Sequence, residues 1–246
     1  MGPNDAADSK LEHPMRELEP SVLGEIVGLL THDIRNPLAA LSSNVGYLTM
    51  VGQTLPQDVR EAIFDLQLSV EVMSRISDTM EVMSQELRGL EGPTSSNVVV
   101  SSLLQALRPQ AERAAASHGV NLSFESSADL RVRVAEPAFS RALANMLHNS
   151  ISLAPAGSTV RLLVSQTPSG VSFCVEDQGS ALGVELLEQA FTPAGQLEVK
   201  SRAEGRYTRG MGLYMVGRCA TLAGATVRVP KRDRGSAIEL LAPVAS

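Results

Sequence analysis

Residues 21–51 read SVLGEIVGLLTHDIRNPLAALSSNVGYLTMV, and their spacing decides the first half of the fold. Leu23, Val27, Leu30, Ile34, Leu38, Leu41, Val45 and Leu48 follow at steps of three and four, which predicts one apolar stripe on an α-helix. Gly52, Gln53, Thr54 and Pro56 interrupt the pattern. It resumes at Val59, Ile63, Leu66, Val70, Met73, Ile76, Met80, Met83 and Leu87. Two helices of about thirty residues, rising about 1.5 Å per residue, form an antiparallel hairpin roughly 45 Å long. A lone hairpin leaves part of its stripe in water. A second copy is the natural cover, and two hairpins make a four-helix bundle, so a homodimer through residues 21–88 is expected.

Outward from the hairpin, residues 1–20 are polar and contain Pro3, Pro14 and Pro20, and they read as a flexible tail. Gly89, Gly92, Pro93, Thr94, Ser95 and Ser96 mark a linker over 89–97. The second domain, 98–246, has a mixed pattern. Helices are expected at 101–117, 136–153, 184–191 and 211–223, and strands at 120–125, 130–134, 159–166, 170–176, 225–229 and 236–241. A Gly-, Arg- and Glu-rich stretch at 194–209 reads as a loop. Helices and antiparallel strands in this order give an α+β chain: a helical-hairpin dimerisation domain followed by an α/β sandwich of one sheet under one helical layer.

Composition narrows the function. The 246 residues carry 21 basic and 27 acidic side chains, a net charge of -6, with 3% aromatics and no Trp. That argues against nucleic-acid binding, which uses a basic face or stacking rings. Cys174 and Cys219 are too few for a disulfide scaffold or a thiolate metal site and read as packed, reduced thiols. The uncharged run 36–57 contains Ser42, Ser43, Asn44, Gln53 and two prolines, too polar for a bilayer core. With no secretory signal visible, the chain reads as soluble and cytoplasmic, unable to sense an extracellular signal unaided.

Within the first helix, Ile34 and Leu38 belong to the stripe, which leaves His32 and Asn36, four apart, on a more exposed face. Pro37 has no N–H for the Asp33 carbonyl, so a bend is expected beside His32 at a cost of about 3 kcal/mol. A histidine beside an acid on such a face can be a nucleophile whose proton the carboxylate takes. A surface histidine beside a functionless bend is equally open from this segment alone.

Farther on, Asn145 and Asn149 are four apart on the helix from Glu136, while Leu143 and Leu147 face the core; His148 has no evident role. Amide oxygens can help hold Mg2+, which keeps waters and takes its other ligands from phosphates. Val175-Glu176-Asp177-Gln178-Gly179 brings an acid out of an apolar strand into a glycine turn, where a carboxylate can accept from the adenine amine. Gly210-Met211-Gly212 opens a helix, where glycines let backbone N–H groups approach phosphate.

In this order and spacing the motifs resemble the core of the sensor histidine kinases, over about residues 21–244. His32-Asp33-Ile34-Arg35-Asn36-Pro37-Leu38 looks like the family's phosphoacceptor box, and Asn145 to Asn149 like its asparagine box. Asp177-Gln178-Gly179 and Gly210-Met211-Gly212-Leu213 look like its glycine boxes, and Ala190-Phe191-Thr192-Pro193 like its phenylalanine box. The resemblance implies that His32 takes the γ-phosphoryl of ATP, Asp33 accepts its proton and Asn36 orients water for the reverse reaction on a partner. It implies that Asn149 holds Mg2+, Asn145 supports the phosphates and Asp177 reads adenine. Gly179, Gly210 and Gly212 would admit the nucleotide, with 194–209 as a lid. The implied partners are a second copy, the receiver domain of a response regulator and an upstream sensor protein.

Several positions depart from the family pattern. Ala181 and Thr208 stand where glycines are usual, Ser152 where a basic residue is, and Leu153 where an aromatic is. These departures put nucleotide affinity in question. They leave an alternative open: a non-ATP-binding phosphotransfer or scaffold protein in which His32 only relays phosphate.

Overall fold

The computed structural model describes residues 19–89, 94–127, 130–179, 190–192, 211–232 and 234–245. Helices α1 (Pro20–Val51) and α2 (Gln57–Leu87) are joined by a 3-10 turn at Gly52–Thr54 and form the expected hairpin. Pro20 sits in the first turn of α1, where its missing N–H costs nothing. The helix continues through Pro37 without a break.

The seam inside the hairpin takes half of its residues from the stripe expected from apolar spacing and half from outside it. The buried positions are Gly24, Thr31, Leu38 and Val45 on α1, and Ile63, Val70, Ser77 and Ser84 at the same seven-residue interval on α2. Seven is the repeat of two helices wound closely together. Ser84 Oγ donates to the Gly24 carbonyl at 2.7 Å, and added carbon at Gly24 would stand 2.9 Å from the Ser84 carbonyl oxygen. Small residues therefore bring the upper ends of the helices into close contact. Leu38, Val45 and Val70 form an apolar cluster lower down. Leu30, Ile34, Leu41 and Leu48 on α1, with Leu66, Met73 and Ile76 on α2, remain 39–52% exposed. The sequence pattern thus merged a thin internal seam with a second, outward-facing apolar row.

The second region begins with β1 (Ser96–Val99), whose first two residues fall in the stretch expected to be linker, and continues through α3 (Val100–Ser117), β2 (Asn121–Ser126) and β3 (Arg131–Val134). It goes on with α4 (Glu136–Leu153), β4 (Thr159–Thr167), β5 (Gly170–Asp177), α5 (Gly212–Leu222), β6 (Thr226–Arg228) and β7 (Ser236–Ala242). The main sheet has the order β2-β4-β5-β7-β6. The β2–β4 pair is parallel, against the all-antiparallel expectation, because β3 and α4 form the crossover between them. A separate antiparallel pair, β1 with β3, makes a second small sheet.

Alternation explains the layering. Val160, Leu162 and Val164 on β4, Phe173 and Val175 on β5, and Ile238 and Leu240 on β7 are buried, whereas Arg161 and Ser165 between them are exposed. The buried set meets Phe139, Leu143, Met146 and Leu147 of α4 and Met215 and Val216 of α5 in one core. Phe139 and Phe173 pack edge to face with centroids 5.0 Å apart. Val82 of α2 belongs to the same core, so the end of the hairpin packs on the sheet domain.

Candidate nucleotide and phosphoacceptor sites

His32 and Asp33 lie on the outer face of α1, with side chains 73% and 78% exposed, and His32 Nδ1 stands 3.3 Å from Asp33 Oδ1. When Nδ1 carries the proton facing Asp33, the Nε2 lone pair is free to act as a nucleophile. Asn36, one turn on, is also exposed. Arg35 crosses to α2, where it bonds Asp78 at 3.1 Å and pairs with Glu81. A groove of about 530 Å³, lined by Glu25, Gly28, His32, Arg35, Glu81 and Arg88, runs beside the histidine. The sequence-expected trio is thus together and accessible.

A second set of side chains converges far along the chain, where α4 ends, β5 ends and α5 begins. Asn145 Nδ2 donates to the Arg141 carbonyl of its own helix at 2.9 Å, leaving its oxygen uncommitted. Asn149 Nδ2 is buried without a hydrogen-bond partner. The other end of that amide is pressed against Gly212, where an added Cβ would stand 2.6 Å from Asn149 Oδ1. A buried, unpartnered amide beside a bare helix N-terminus fits phosphate oxygens and a Mg2+ ion that draws most of its ligands from phosphate and water.

Asp177 is 5% exposed. Its Oδ1 accepts the Gly179 N–H at 2.8 Å and its Oδ2 accepts the Ser236 hydroxyl at 2.6 Å. Each carboxylate oxygen has a further acceptor site, which suits an exocyclic amine. Added carbon at Gly179 would stand 2.9 Å from both Asp177 Oδ1 and the Leu153 carbonyl oxygen, so the turn admits only glycine without movement. Gly235 has φ +72, and a Cβ there would meet the Asp177 carbonyl at van der Waals overlap. That glycine lets the start of β7 lie against the end of β5 and puts Ser236 on Asp177. Sequence reading missed Ser236; the Gly235-Ser236 pair opening a strand was its only mark.

Ser152, in place of a basic residue, is paired with His148 (Oγ to Nε2 3.3 Å). Burial, then Arg75, then His118 push the His148 imidazole down to about 4, so it is neutral near pH 7. His148, to which sequence reading gave no role, lines a cavity of about 160 Å³ between α2, α3 and α4. Phe191 lies against Gly217, whose added Cβ would stand 2.9 Å from Phe191 Cβ. Gly210, Pro193, Ala181, Thr208, the expected lid at 194–209 and residues 184–189 of the expected short helix lie outside the described residues.

Together these features make an α/β sandwich with a cradle suited to a nucleotide, joined to a helical hairpin that displays a histidine beside an acid. Comparison with known proteins agrees: residues 134–246 match the family described as Histidine kinase-, DNA gyrase B-, and HSP90-like ATPase. The chain is 25% identical over 244 residues to sensor histidine kinase ZraS of Escherichia coli (strain K12), across 95% of this chain and 48% of that protein. It therefore spans about half the length of that relative. Its fold resembles full-length ShkA in complex with AMPPNP (TM-score 0.62, 21% identity, 91% of this chain and 46% of that one). It also resembles the Acinetobacter baumannii histidine kinase AdeS (TM-score 0.58, 15% identity, 87% of this chain and 98% of that one). The resemblance to sensor histidine kinase cores holds over nearly the whole chain. Among the described residues, no helix is long and apolar enough to cross a membrane.

Proposed function

We propose that this chain is the core of a two-component histidine kinase, which phosphorylates itself on His32 from ATP and passes the phosphoryl group to the receiver domain of a response regulator. The observation that carries the reading is the exposed His32–Asp33 pair, 3.3 Å apart, in a chain whose other half is an ATPase-type domain. The roles follow the chemistry of each group. Asp177 accepts from the adenine amine, with Ser236 and the Gly179 N–H fixing its carboxylate. Asn149 offers an amide to Mg2+ and phosphate, and Asn145 an oxygen one turn earlier on the same face of α4. Gly212, with Gly210 preceding it, leaves room for phosphate at the start of α5. Bound Mg2+ supplies charge neutralisation along the phosphates.

At the hairpin, Nε2 attacks the γ-phosphorus as its bond to the β–γ bridging oxygen breaks and ADP leaves, while Asp33 takes the Nδ1 proton, so the phosphorylated ring carries no positive charge. Asn36 orients water for the hydrolysis of a partner's phosphoaspartate. The outward row around Ile34, Leu41, Leu66 and Met73 pairs with a second copy, making the homodimer. An upstream sensor protein supplies the signal, and the chain acts in the cytoplasm. The proposed division is hairpin 21–88 and ATP-binding domain 98–246, with a linker between.

Incubation with labelled ATP and Mg2+ tests this reading. Acid-labile, base-stable label that vanishes in His32→Gln supports it; label that survives that substitution rejects it. A second reading, a phosphate relay without nucleotide binding, is favoured by Ala181, Thr208 and Ser152 at positions where the family has glycines and a cation.

A further inference from the structure

The cavity of about 160 Å³ between α2, α3 and α4 owes its space to small residues. Ala111 and Ala114 of α3 and Ala144 of α4 line it, and a methyl at each leaves room that a longer side chain would fill. Leu107, Leu147 and Ile151 complete an apolar floor, and Leu147 and Ile151 are buried. An apolar space of about 150 Å³ holds one benzene ring. The floor is therefore the size of a single six-membered ring.

Its rim is cationic. Arg75 of α2, Arg113 of α3 and Arg141 of α4 bring one guanidinium from each helix, against the carboxylates of Glu71 and Asp78. Asp78 already accepts from Arg35 at 3.1 Å, which leaves Glu71 as the uncommitted acid on the rim. Among the described residues, neither Arg113 nor Arg141 is paired with a carboxylate. His148 lines the same cavity, and burial first, then Arg75 and His118, hold its imidazole down to about 4. The rim thus carries an excess of positive charge and a neutral ring. Guanidinium groups bind a carboxylate through two parallel hydrogen bonds and stack on aromatic faces.

We propose that this cavity is a binding site for a small aromatic monocarboxylate, its ring on the alanine floor and its carboxylate among Arg75, Arg113 and Arg141. The site stands apart from the kinase reading and does not depend on it. Arg75, Asn145 and His148 also border the smaller space beside Asn149 and Gly212, whereas the walls from α3, with Arg113, belong to the carboxylate site. The ring excludes a phosphate chain from the floor by its chemistry: no donor lines the space between the alanines. A ligand that binds the folded chain alone raises its melting temperature.

The test titrates the full chain with benzoate, read by calorimetry and by the NMR signals of the His148 ring. Acetate, which has the charge without the ring, and benzyl alcohol, which has the ring without the charge, are titrated beside it. Benzoate is expected to saturate one site, with acetate and benzyl alcohol weaker by about tenfold or more. The bound carboxylate offsets the positive field of Arg75, so the His148 pKa should rise on binding. Ala144→Leu fills the floor and Arg113→Ala removes an exposed guanidinium; each should weaken benzoate by about tenfold. Arg108→Ala, which removes the same charge outside the cavity, should leave it unchanged. No saturable benzoate binding at about 10 mM overturns the proposal. Full affinity in a folded Ala144→Leu chain overturns it as well, and where that variant loses its helical circular dichroism, full affinity in Arg113→Ala does so. Displacement of benzoate by a nonhydrolysable ATP analogue, or loss of benzoate binding in Asp177→Asn, would place the ligand in the nucleotide site and also reject it.

Discussion

Gly212 and Asn149 compete for one space: a Cβ on the glycine that opens α5 would stand 2.6 Å from the amide oxygen near the end of α4. Alanine is the better helix former by about 1 kcal/mol, so Gly212→Ala should leave thermal stability within a few degrees of the parent. The methyl must still displace the Asn149 amide. Nucleotide affinity is expected to fall by about tenfold or more, equivalent to about 1.4 kcal/mol, in titrations with a nonhydrolysable ATP analogue. Equal affinity in the two proteins would remove Asn149 from the site.

The carboxylate of Asp177 makes a different prediction, because both its oxygens already accept hydrogen bonds, from Gly179 and Ser236. Asp177→Asn turns one acceptor into a donor facing a donor, and it removes the acceptor for the adenine amine. Most nucleotide binding should be lost. Ser236→Ala removes one of the bonds that hold the carboxylate and should cost a few-fold only. A Ser236→Ala loss as large as that of Asp177→Asn would make Ser236 a ligand contact in its own right.

For the proposed dimer, the buried seam changes which substitution is informative. Val70 is 6% exposed within the hairpin of a single chain, so a glutamate there would damage the hairpin before it reached any interface. Leu66 is 51% exposed on the outward row. Leu66→Glu should keep the helical circular dichroism and shift light scattering from the dimer mass toward the 26.1 kDa chain. A parent chain that scatters as a monomer at micromolar concentration would remove the bundle altogether.

Much of this was legible in the residues. α4 was expected at 136–153 and is observed at Glu136–Leu153, because apolar periodicity there also marks the buried face. His32 and Asn36 were placed on the exposed face by the same reasoning and lie there. Periodicity failed where burial is carried by residues that are not apolar. Gly24, Thr31, Ser77 and Ser84 form half of the hairpin seam, and no hydrophobic count finds them. The parallel β2–β4 pair was missed because pairing direction follows from the crossover through β3 and α4, not from any residue in either strand. Ser236 meets Asp177 across 59 positions, and the Tyr214 hydroxyl donates to Glu86 across 128, which local pattern cannot reveal.

The thiols give the last prediction. Burial, reinforced at Cys174 by the neighbouring Glu176 and Glu239, pushes both Cys174 and Cys219 up to about 11, with Arg141 and Arg218 partly opposing it at Cys219. The thiolate is the reactive form, so at pH 8 both groups are almost wholly unreactive thiols in the folded chain. A disulfide-exchange reagent should label neither at an appreciable rate without denaturant and both with it; Cys174, the less buried, should react first. The linkage has a definite sign. The folded values lie above the ordinary 9.0, so the unfolded chain loses these protons first as pH rises. The stabilisation is complete below pH 9 and is lost between about 9 and 11. Melting temperature should therefore fall over that alkaline window, and a Cys174→Ser, Cys219→Ala chain should fall less. Rapid labelling of Cys219 in the native protein at pH 8 would show that α5 opens readily from the core.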